Sequence, residues 1–181
     1  MSLEFVMLDI TEDALEELIT TYVRHAATTT SRAPDRSLGR YRDGIVSDTA
    51  AADRAACWLR LVSIVEIYAE TLLRRLFGEQ PGRPPGGWGE VKGSLKRDHS
   101  IDVTAVEGWA RLDACFTVRN AVAHGLGRFT ARQIEKGEPR KMRLIGVPVR
   151  DGRVVITPES LASCFETCRA FVTALDAYPR P

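Results

Sequence analysis

The stretch from Asp48 to Phe77 constrains this chain most, because it is an uninterrupted Ala- and Leu-rich run with Leu61, Val65, Tyr68, Leu72 and Leu76 at three- to four-residue spacing. That period is helical, so the run predicts one long helix carrying a continuous apolar stripe. Such a stripe must be covered by other elements, and the rest of the sequence supplies them. Thr11 caps a helix over about 11–27, with acids in its first turn and Leu15, Leu18, Ile19, Tyr22 and Val23 on its inner face. Thr104 and Glu107 have capping-box spacing before Trp109, Leu112, Phe116 and Val122, which predicts a second core helix ended by Gly125 and Gly127. Thr157 and Pro158 open a last amphipathic helix through Leu161, Phe165, Cys168, Phe171, Val172 and Leu175.

Between these elements the punctuation is clear. Residues 28–47 mix Thr, Arg, Pro34, Gly39 and Gly44 without a period and read as a long connection. Gly78 to Gly87 contains Pro81, Pro84 and Pro85 and cannot continue a helix. A short helix is expected over about 88–97. Met142 to Pro148 and Arg153 to Ile156 flank Asp151-Gly152, a dipeptide that favours a hairpin turn, so two strands are expected near 142–156. The fold class expected is mainly α: a bundle of about four principal helices with one small β-hairpin, in a single domain over residues 1–181.

Composition agrees with one core. The chain has 181 residues, 44% hydrophobic and 27% charged, and a chain of this size removes roughly 70% of its unfolded surface from water without disulfides or metals. Its longest apolar runs fall far short of the ~20 residues that a membrane-spanning helix needs. No basic segment followed by an apolar stretch opens the chain, so a soluble, cytoplasmic protein without membrane association is expected. Cys57, Cys115, Cys164 and Cys168 sit among apolar neighbours and read as small buried hydrophobes. Cys164 and Cys168 share a helix face, but no nearby His or Cys pair completes a zinc site, so neither a metal nor a cofactor is expected. The near-neutral net charge of +1 hides a polarity: residues 1–20 hold six acids and no base, whereas residues 128–153 hold eight bases against three acids. That second segment, with Arg128, Arg132, Arg140, Lys141 and Arg143, is the candidate surface for a phosphate backbone.

One constellation carries chemistry. At the end of the second core helix, Asn120 and His124 form an i, i+4 pair, and Arg119 can bend its side chain towards the same cleft. The last helical turn favours an imidazolium at His124, while Arg119 opposes it. A purely structural reading stands beside this one, with Arg119 paired to a carboxylate and His124 capping helix-end carbonyls.

Read as Arg119-Asn120-Ala121-Val122-Ala123-His124, the segment resembles the motif of the HEPN superfamily, in which Arg, usually followed by a polar residue, is separated from His by four to six intervening positions. The helix from Leu61 to Leu73, the hairpin and the closing helix resemble the RiboL-PSP-HEPN-like branch, and the likeness covers residues 48–177. The resemblance implies metal-independent endoribonuclease activity, of the kind found in toxin-antitoxin and phage-defence systems, in a homodimer that brings two motifs together. Arg119 would stabilise phosphate charge, His124 would transfer a proton as acid or base, and Asn120 would orient the ring or the phosphate. Glu66 and Glu70 are supporting candidates, although Glu70 can simply pair with Arg74 one turn on. Two alternatives remain open: a non-catalytic HEPN module binding RNA or a nucleotide, and a helical dimer serving as an antitoxin-like or regulatory interaction partner.

Overall fold

A computed structural model of the chain describes residues 7–31, 41–77 and 87–179, with 29–31, 41–48 and 77 described as backbone only. Helix α1 (Asp9–Ser31) packs along the long helix α2 (Tyr41–Phe77), whose Trp58, Leu61, Val62, Val65, Tyr68, Ala69 and Leu72 are buried. Both predicted helices run longer than their patterns. Residues 28–31 and 41–47, assigned from the sequence to a long connection, are helical, while 32–40 and the proline-rich 78–86 lie outside the described residues. Lack of apolar period says that a segment buries no stripe; it does not say that the backbone is irregular.

Helix α3 (Trp88–His99) is followed by a 3-10 turn, Val103–Ala105, and helix α4 (Trp109–Gly125). The helix start expected at Thr104 is corrected here. Asp102 accepts from the Thr104 N–H at 3.0 Å and so caps the 3-10 turn instead. Gly108, in the left-handed region at φ 82°, then breaks the chain direction before α4 begins. The Lys96 ammonium lies 2.7 Å from the Asp102 carboxylate, and its hydrogen bond, with those from Thr104, pulls that acid down to about 2.

After α4 come a short helix α5 (Ala131–Glu135) and a 3-10 segment, Glu138–Ile145. The strand expected over 142–148 is therefore mostly helical. Gly137 and Gly146 close both ends in the left-handed region, Pro139 fits the first turn, and the buried Met142 and Ile145 are three residues apart, the 3-10 period. The hairpin is confined to β1 (Val149–Arg150) and β2 (Arg153–Val154), antiparallel, with Asp151 and Gly152 both at positive φ as a two-residue primed turn requires. Helix α6 (Pro158–Asp176) starts where expected, its capping box formed by Thr157 and Ser160.

Helices α1, α4 and α6 all contact α2, and α4 and α6 contact each other. The core is one cluster running from Ala14 in α1 to Leu175 in α6. Polar ties fix the relative phase of the helices: Trp58 Nε1 donates to the Cys115 carbonyl at 3.1 Å, Arg54 Nε to the Ile156 carbonyl at 2.6 Å, and Arg111 Nη2 to Ser163 Oγ at 2.9 Å. Among the described residues no helix is long and apolar enough to cross a membrane.

Candidate functional site

The Arg119-Asn120 pair sits on the last two turns of α4, where Arg119 meets α2. The phase of those two helices decides which carboxylate meets the arginine. Arg119 Nη2 donates to Glu66 Oε2 at 3.2 Å, and Nη1 donates to Asn120 Oδ1 at 2.9 Å. The guanidinium is thus held by two acceptors from two helices, in a partly buried setting with its side chain 29% exposed. Burial pushes the Glu66 carboxyl above its usual range, and the Arg119 charge opposes this without cancelling it.

Glu70, one turn further along α2, does not join the cluster. It accepts from Arg74 at 2.5 Å, the i, i+4 pairing anticipated for it. His124, one turn beyond Asn120, is exposed and makes no hydrogen bond among the described residues. The ring is therefore not a helix-end cap. The chain turns away immediately after it: Leu126 adopts φ 50° and its N–H, with that of Gly127, returns to the Ala121 carbonyl. That exit leaves the imidazole in the open.

The cations of the following segment divide into two groups. Lys141 lies 2.6 Å from both Asp113 and Glu138, and Glu138 also accepts from Thr117 Oγ1 at 2.9 Å. Burial disfavours the Lys141 ammonium, but the two carboxylates outweigh it and raise its pKa. This network straps the 3-10 segment onto α4, so Lys141 is committed to the fold. Arg132, Arg140 and Arg143 are exposed and form no ion pair among the described residues. Arg128 is exposed too, with Nη1 donating to the Asp151 carbonyl at 3.2 Å.

Sequence reasoning counted Arg150 and Arg153 only as charge. Their position on either side of Asp151-Gly152 was the available signal, since a two-residue turn makes its flanking residues direct partners. Among the described residues no group of three His, Cys, Asp or Glu side chains is placed to hold a metal ion. The cysteines are all free and buried, and Cys164 is packed against Cys115 and Cys168 with its thiol pushed up by burial. No family model matches the chain, and neither a curated protein nor a solved structure matches it.

Proposed function

We infer that the chain is a HEPN-type, metal-independent endoribonuclease acting in the manner of a toxin or phage-defence effector. What carries this reading is the arrangement at the end of α4, where a positioned guanidinium, an amide and an open imidazole lie within two turns of one helix. In this reading the RNA 2′-oxygen attacks the adjacent phosphorus as its proton is removed, and the P–O bond to the 5′-oxygen breaks as that oxygen gains a proton. The products are a 2′,3′-cyclic phosphate and a 5′-hydroxyl. Arg119 bears on the non-bridging oxygens, where negative charge grows. His124 moves one of the two protons, and Asn120 fixes the fork. A symmetric homodimer supplies the second imidazole.

One observation favours a second reading, a non-catalytic RNA-binding module: the Arg119 charge is already matched by Glu66, so a phosphate must compete for it. Cleavage of end-labelled RNA by wild type, Arg119→Ala and His124→Ala, with and without EDTA, separates the two. The nuclease survives EDTA, and each substitution lowers the rate of the chemical step by about 10² or more with the fold intact. RNA affinity falls less in His124→Ala than in Arg119→Ala, since only the arginine brings a permanent charge. Full cleavage by His124→Ala, or EDTA inhibition reversed by metal, rejects the mechanism. Binding without cleavage by wild type selects the module.

A further inference from the structure

The chain leaving α4 meets the hairpin in a single antiparallel bridge. Val154 N–H donates to the Gly127 carbonyl at 2.9 Å and Phe129 N–H to the Gly152 carbonyl at 3.3 Å, which makes Arg128 and Arg153 direct antiparallel partners. Those two hydrogen bonds flank the pair, so it is the non-hydrogen-bonded kind, with Cα atoms about 4.5 Å apart and side chains at their closest. On its other side Arg153 is paired with Arg150 across the Asp151-Gly152 turn. Direct partners share one face of a sheet. Arg128, Arg153 and Arg150 therefore form a single rung on one face, roughly 10 Å across.

All three are exposed, and none is in an ion pair among the described residues. Like charges placed directly opposite destabilise a ladder, so this rung runs against folding unless something outside the chain neutralises it. It also adjoins the candidate site: Arg128 Cβ lies 4.0 Å from where a Cβ on Gly125 would be, one residue past His124. We propose that the Arg128-Arg153-Arg150 rung is a binding site for the phosphodiester backbone of a single-stranded RNA, gripping the strand as it leaves the His124 end of α4. Planar guanidinium forks match phosphate oxygens two at a time, and a row of three faces more than one phosphate at once. The choice of RNA over another polyanion rests on the nuclease reading of the neighbouring site.

The test is fluorescence anisotropy of a labelled single-stranded RNA titrated with the full chain at several salt concentrations. The comparison variants are Arg128→Gln/Arg150→Gln/Arg153→Gln and Arg24→Gln/Arg60→Gln/Arg97→Gln, the latter removing the same formal charge from α1, α2 and α3. Neutralising the rung should flatten the slope of log affinity against log salt by about 1.4, the share of two single-strand phosphates, whereas the control should leave it unchanged. Arg153→Gln alone should melt no lower than wild type, because it relieves repulsion on both sides. An unchanged slope in the rung variant, a destabilised Arg153→Gln, or rung-dependent binding to phosphatidylserine vesicles without RNA binding would each overturn the proposal. Rung-dependent binding by a wild type that cuts no RNA would uphold it and reject the nuclease reading. Cleavage that still requires Arg119 and His124 in a rung variant with wild-type salt dependence would do the reverse.

Discussion

Glu66 brings an ionisable group into a place only 23% exposed, and there burial outweighs the attraction of Arg119. A carboxyl whose folded pKa lies above its unfolded one contributes stability below the ordinary carboxylate range, and that contribution is lost as pH rises through the raised value. Glu66→Gln keeps an oxygen for the Arg119 fork and removes the titration. It should therefore melt above wild type at pH 7, with the difference closing by pH 4; a lower melting temperature at pH 7 would mean that the ion pair outweighs burial. At this scale the placement of Arg119, Asn120 and His124 on one helix was legible in the sequence, because it follows from spacing alone. The choice between Glu66 and Glu70 was not, since it depends on the rotational phase of α2 against α4. Nor was the neutralisation of Lys141, whose partner Asp113 is 28 residues away in the chain and meets it only through tertiary packing.

Among the elements, the exit from α4 holds a residue out of its preferred conformation. Leu126 sits at φ 50° while 85% exposed, so a branched side chain takes a left-handed backbone and gains no burial for it. Leu126→Asn should stabilise the protein by about 1 kcal/mol in urea unfolding, because Asn tolerates that region. An unchanged or lower midpoint would show that Leu126 makes contacts worth more than the strain. Helices α2 and α6 were readable from apolar period, since each buries one stripe, whereas α4 buries every residue from Ala114 to Val118 and was readable from its apolar content rather than from a single face. The 3-10 segment was not, because Leu144 and Ile145, with Val147 just beyond its end, match a short strand as well as a helical turn, and the left-handed Gly137 and Gly146 that decide the matter are visible only as two glycines. The start of α4 was misread for a similar reason: Thr104 does take part in a cap, but as the N–H donor to Asp102 rather than as the capping residue itself.

At the scale of the whole molecule, the chain brings one exposed imidazole to the end of α4, whereas the proposed 2′-oxygen attack with 5′-oxygen departure would move two protons. A two-fold axis beside α4 would place two copies of His124 across one groove, each contributing the group the other lacks. Solution scattering at micromolar concentrations should therefore give the mass of a symmetric dimer, and strictly monomeric scattering would count against the shared groove. The chain also carries its own optical reporters. Its three tryptophans divide between Trp58, fully buried where α2 meets α4, and the stacked Trp88 and Trp109, whose rings lie 6.2 Å apart with the Lys92 ammonium 4.7 Å from the second. Near-ultraviolet circular dichroism of the stacked pair follows the packing of the first residue of α3 against Trp109 and Phe116 of α4. A ligand that loosens the stack would thus be seen in unlabelled protein as a change of near-ultraviolet ellipticity that a Trp109→Phe variant, which lacks the pair, does not show.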